Sequence, residues 1–206
     1  MSTSSSTNTP FALAITGASG APYALRLLEL LLAQGEAVDI MISAPGQIVM
    51  SMETDLRLPG QPAGIQRALT EHFAAAEGQL RVFGREEWTA PLASGSSAPR
   101  ALVVCPCTTG TLAGIAAGTS SNLIERAADV TIKEGRKLIL VPRETPFSAI
   151  HLENMLKLAR LGVVILPPSP GFYQEPHTIA DLVDFVVSRI LDQLGIDNNI
   201  SPRWGE

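Results

Sequence analysis

"FALAITGASGAPYALRLLELLLA", residues 11–33, is the stretch on which the fold turns. Residues 11–16 are a short apolar run of strand length. Leu25, Leu28 and Leu32 then recur at helical spacing, and Pro22 falls in a first turn, where its missing N–H has no intrahelical partner to lose. Between the two lies "TGASGAP", small residues at a helix start whose backbone N–H groups and Ser19 hydroxyl suit a phosphate oxyanion. The spacing is not the three-glycine dinucleotide fingerprint, so a nicotinamide cofactor does not follow from it.

The same alternation continues along the chain. "AVDIMIS" (37–43) reads as a strand, "GQIVMSMET" (46–54) and "IQRALTEHFAAA" (65–76) as helices, and "QLRVF" (79–83) as a brief strand. "ALVVC" (101–105), "KLILV" (137–141) and "VVILP" (163–167) are continuous apolar runs, as strands buried on both faces should be. Helical stretches separate them: 110–118, 123–135 and 151–162. A last helix over 178–195 has Thr178 as its cap, Asp181 three residues on and Gly195 as its stop. The pattern is a doubly wound parallel α/β sheet in three layers, Rossmann-like or flavodoxin-like. We expect a disordered Ser/Thr-rich leader over 1–10, one domain over 11–195 and a tail over 196–206.

A net charge of -5 argues against a nucleic-acid or anionic membrane surface. The N-terminus lacks a basic segment and the first apolar run breaks at Gly17, so neither a secretory signal nor a membrane span is expected, which points to the cytoplasm. The two cysteines, Cys105 and Cys107, flank one proline, which suits reduced structural thiols better than a disulfide framework or zinc site. His72, His151 and His177 share no ligand spacing with acidic residues, so no metal is expected. Apolar residues make up 46% of the chain against 17% charged, a balance that hints at an oligomer.

In a doubly wound sheet the chemistry lies beyond the carboxyl ends of the strands. There the chain places "TGASGAP", Ser43, a Gly84–Arg100 loop with Trp88, and a second hydroxyl-rich turn of Thr108, Thr109, Gly110 and Thr111. "PRETPF" and "PPSPGFY" follow later strands. Two glycine-containing helix starts on one sheet edge suit a phosphorylated ligand between them. No lysine follows either turn in the Walker pattern, so ATP hydrolysis is disfavoured. Arg143 and Glu144 stand adjacent after a buried strand, one to bind an anion and the other to handle a proton, unless they are a structural ion pair. Arg126 and Lys133 lie two turns apart on one helix and, with Arg189 and Tyr173, form a candidate second anion site, although such charges are more often simply solvated.

These motifs, together with "ETD", "ASGS", "LIERAADVTIKE", "HLENMLKLARLGVVILPPSPGFY" and "PRWGE", resemble the UbiX-type flavin prenyltransferases from about Phe11 to the end of the chain. The resemblance implies a subunit that binds FMN and joins it, without a metal, to a dimethylallyl group from dimethylallyl phosphate. It implies a homo-oligomer, a dodecamer in that family, whose prenylated flavin serves a separate UbiD-type decarboxylase, for instance in ubiquinone synthesis. Residue by residue, Gly17, Ala18, Ser19, Ser43, Thr108, Thr109, Gly110, Thr111 and Arg143 would contact FMN, the glycine turn taking its phosphate region. Tyr173, Lys133, Arg126 and Arg189 would hold the prenyl phosphate, some of them across a subunit interface. Trp88 would face the allyl cation, and Ser19 with Glu144 would relay the proton leaving flavin N5. Trp204 would close a neighbouring site.

Two other classes compete. The flavin-dependent cysteine decarboxylases share this architecture, but they rely on a catalytic histidine and an Asn-containing turn where this chain has "PRETP". A non-catalytic FMN scaffold would need the glycine turn without Lys133, Glu144, Tyr173 and Arg189 together.

Overall fold

The computed structural model describes residues 9–203 and 205, so most of the expected leader, and Trp204 with its proposed closing role, lie outside the described residues. The described residues form six parallel strands in the order β3-β2-β1-β4-β5-β6. Their ranges are β1 Phe11–Ile15, β2 Val38–Ile42, β3 Leu80–Phe83, β4 Ala101–Cys107, β5 Lys137–Pro142 and β6 Val164–Ile165. That is the doubly wound order, which reverses between β1 and β4.

Side chains alternate across β1 and so build two cores. Phe11, Leu13 and Ile15 point into one with α1 (Ala21–Ala33), α3 (Pro62–Phe73) and α7 (Ile179–Leu194). Ala12 and Ala14 point into the other with α4 (Thr109–Ala117), α5 (Leu123–Lys133) and α6 (Ala149–Arg160). The sheet is therefore the middle of three layers.

Cys105 and Cys107 would share a face in a regular strand, but the β4–β5 register shifts between Val104 and Cys107. Cys105 consequently faces the first core and Cys107 the second. Both are free and fully buried, and burial raises both thiol pKa values, that of Cys107 to about 12. They are packing residues held as thiols.

Local chemistry fixes the helix ends. Ser43, Thr108 and Asn122 cap α2 (Ala44–Glu53), α4 and α5 by accepting N–H bonds from Gly46, Thr111 and Glu125. Helix α2 starts two residues before the expected 46, because Pro45 sits in its first turn, where proline is no breaker. Ser148 with His151, and Thr178 with Asp181, form capping boxes at α6 and α7. The long 84–100 segment folds into two 3₁₀ turns that bury Ala90 and Leu92 against the second core, with Trp88 left 48% exposed. Among the described residues no helix is long and apolar enough to cross a membrane.

Candidate functional site

The crossover point between β1 and β4 is tied by one side chain. Thr16, almost fully buried, donates its hydroxyl to the Pro106 carbonyl at 2.8 Å and accepts the Thr108 N–H at 2.8 Å. This bond sets the start of α4 beside the end of β1. A cavity of about 200 Å³ opens there, lined by Thr16, Gly17, Ser43, Arg85, Thr108, Thr111 and several apolar groups of β2 and β3. The N-termini of α2 and α4 both reach it, and the Thr108 hydroxyl donates to that of Thr111 at 2.9 Å.

The glycine turn differs from its expected use. Gly20 N–H and Ala21 N–H, at the start of α1, both donate to the Glu53 carboxylate, at 2.9 and 2.8 Å. A carboxylate thus already occupies the positive end of α1, and a phosphate there would meet like charge. The turn itself needs its glycines. Gly20 has φ +134°, and a Cβ on Gly17 would lie 2.4 Å from Cβ of Pro45. Gly17 lines the cavity, Ala18 is buried, and Ser19 is exposed at the turn's tip.

The segment after β5 joins this turn. Arg143 donates from Nε to the Ser19 carbonyl at 3.3 Å, and its own N–H bonds the Cys107 carbonyl at 3.3 Å. Glu144 is half-buried beside it and accepts the Thr145 N–H at 3.1 Å; it makes no ion pair with Arg143. Ser19, Arg143 and Glu144, distant in sequence, therefore share one corner of the sheet edge.

The four residues expected around a prenyl phosphate do not converge within one chain. Arg126 donates to the Ala93 carbonyl at 3.1 Å and pairs with Asp129 at 2.8 Å. Lys133, at the far end of α5, pairs with Glu134 and lies ten residues from Leu123, which is about 15 Å along the helix. Tyr173 and Arg189 instead line a second cavity, of about 630 Å³, beside α7 in the opposite layer. There Tyr173 packs edge-on to Phe185 with centroids 5.9 Å apart, and Asp192 pairs with Arg189 at 2.8 Å and Arg203 at 3.0 Å. Trp88 does not line the first cavity.

Glu53, Thr16 and Arg85 escaped the reading of the sequence. Glu53 and Thr16 stand in the motifs "ETD" and "TGASGAP", but they act through partners 33 and 92 residues away, which those motifs do not show. Arg85 lies inside the long 84–100 loop, two residues after β3, where its position beyond a strand's carboxyl end is the signal that marks it.

The ends of two helices, hydroxyls and an arginine around one switch-point cavity suit a phosphorylated ligand on a doubly wound sheet. Accordingly, the family model described as Flavoprotein matches residues 1–191, and the chain belongs to that family. It is 61% identical over 194 residues to the flavin prenyltransferase UbiX of Pseudomonas aeruginosa, covering 94% of this chain and 93% of that protein. Among solved structures it is similar to AnUbiX (PadA1) in complex with FMN and dimethylallyl pyrophosphate, with TM-score 0.85, 36% identity, and 97% and 98% of the two chains covered. It is equally similar to a dodecameric FMN-dependent UbiX-like decarboxylase from Escherichia coli O157:H7, with TM-score 0.85, 39% identity, and 96% and 100% covered. The FMN-dependent cysteine decarboxylase TvaF, at 14% identity and TM-score 0.58, shares the fold alone.

Proposed function

We propose that this chain is a flavin prenyltransferase that joins a dimethylallyl group to reduced FMN. The observation that carries the reading is the Arg143–Ser19 bond, which sets the "PRETP" turn against the glycine turn and brings Glu144 to the same corner. The 61% identity to a UbiX enzyme supports it.

The cavity residues fit a phosphoflavin. Its phosphate is assigned between the N-termini of α2 and α4, at Ser43 and Thr108–Thr111, because Glu53 closes the N-terminus of α1 to anions. The ring then extends toward Ser19 and Arg143. Bound and reduced, FMN would supply N5 for the carbon that leaves the phosphate and C6 for the far alkene carbon, the alkene taking up one proton and C6 giving up its own.

The chain's residues do the rest. Breaking the allylic C–O bond sends its electron pair to the departing phosphate, which Lys133, Arg126, Arg189 and Tyr173 stabilise by charge and hydrogen bonding. Trp88, exposed and outside the flavin cavity of its own chain, offers the allyl cation of a neighbouring subunit's site a π-face without a nucleophile. Ser19 and Glu144 take the proton released at N5. Because Lys133 lies on α5 in one layer and Arg189 lines a cavity beside α7 in the other, the prenyl site is built between subunits of a homo-oligomer, a dodecamer as in the E. coli relative. The buried, separated thiols suit a cytoplasmic setting, and the product serves a UbiD-type decarboxylase.

The test is to mix the purified chain with reduced FMN and dimethylallyl phosphate without oxygen and to weigh the flavin. A gain of one five-carbon unit is expected, and an unchanged flavin mass overturns the proposal.

A further inference from the structure

We infer that Arg85 gives this cavity its preference for a flavin that carries a phosphate over one that does not. The inference rests on the flavin reading above and names the residue that enforces it.

Arg85 is the one charged residue among the described residues lining the cavity between α2 and α4. Its position is fixed by the backbone, since its carbonyl accepts the N–H of Leu123, the first residue of α5, at 2.8 Å. Its guanidinium makes no ion pair among the described residues, so no carboxylate of the chain neutralises it at the cavity wall. Of the two acids that follow it, Glu86 makes no ion pair with it, and Glu87 accepts the Gly84 N–H at 2.9 Å and so folds back on its own loop. Asn122, the other long polar residue of the wall, is used in capping, accepting from Glu125 N–H and donating to the Glu125 carboxylate.

Two helix N-termini contribute only partial positive charge, while a phosphate monoester brings up to two negative ones. A guanidinium never loses its proton at working pH and presents donors in a fork that matches two phosphate oxygens. With Glu53 barring anions from α1 and Arg143 directed to the Ser19 carbonyl, Arg85 is left as the full charge facing the phosphate end. It acts on binding and selectivity, not on the prenyl transfer.

The experiment measures the Kd of FMN and of riboflavin, by flavin fluorescence, for the flavin-free full-length chain and its Arg85→Gln and Arg85→Lys variants. Arg85 is exposed, so neither substitution disturbs the core. In Arg85→Gln the preference for FMN over riboflavin should fall about tenfold or more, the usual range for one charge-assisted bond, while the riboflavin Kd stays within about twofold and Arg85→Lys recovers part of the preference. A smaller fall in selectivity, or an equal weakening of both flavins, overturns the role of Arg85 and leaves the site standing. A wild-type chain that binds both flavins equally overturns the phosphate placement as well, and one that binds neither overturns the flavin reading itself.

Discussion

At the scale of single residues, two carboxylates near the glycine turn have separable tasks. Glu144 sits beside Arg143 without pairing to it and accepts a backbone N–H next door, which leaves its carboxylate available for the proton transfer proposed for it. Glu144→Gln keeps the size and removes the proton acceptor. Product formation should slow by about a hundredfold to ten-thousandfold, the range for lost general base catalysis, with the FMN Kd unchanged. Single-turnover kinetics alongside flavin titration checks this, and unimpaired turnover removes Glu144 from the mechanism. Glu53 is spent on the Gly20 and Ala21 N–H groups. Glu53→Ala orphans both donors and should cost about 1–2 kcal/mol in urea unfolding, with Glu53→Gln, which keeps one acceptor, costing less. Equal stability of all three chains would mean that water caps α1 as well as the carboxylate does.

At the scale of elements, helix ends decide where functional groups point. Helix α7 carries Arg189 and begins at the Thr178–Asp181 capping box. The backbone N–H of Thr178, then that of His177, holds the Asp181 carboxyl below its ordinary value of 3.8. A depressed carboxylate stabilises the fold above the unfolded value and loses that contribution as pH falls through the folded one. Acid should therefore weaken the wild-type chain more steeply below pH 3.8 than Asp181→Asn, followed by helical circular dichroism; parallel acid curves would remove the cap from the explanation. The capping box was legible in the sequence, because it spans four residues whose spacing is its own signal. The start of α2 was less so: a window that treats Pro45 as a breaker overlooks that Ser43 caps the helix before it.

At the scale of the whole molecule, the layer each helix joins sets where the proposed prenyl-phosphate residues lie. Helix α5 packs in one core and α7 in the other, with the sheet between them. If Lys133 and Arg189 meet one phosphate only across an interface, as proposed, a Lys133→Ala subunit and an Arg189→Ala subunit carry complementary halves. Co-expressed in equal amounts, they should rebuild intact sites at about a quarter of the interfaces, as random pairing within a symmetric assembly gives. Activity of the mixed oligomer at the level of the separate variants would show that each chain uses its own pair. Exposed Ile150, Leu152 and Leu156 on α6, and Ile48 and Met52 on α2, provide apolar surface for such an assembly.

Local sequence is enough to place the strands and helices along the chain, the glycine turn, the hydroxyl turn and the acid after β5. Periodicity, capping and turn chemistry act over a few residues, so they are written locally. Only the tertiary structure decided that Glu53 closes the positive end of α1, that Thr16 ties β1 to β4, that Arg85 faces the cavity and that Lys133 and Arg189 lie in opposite layers. Those relations depend on which crossover passes which face of the sheet, and partners 33 or 92 residues apart meet only after the chain has packed.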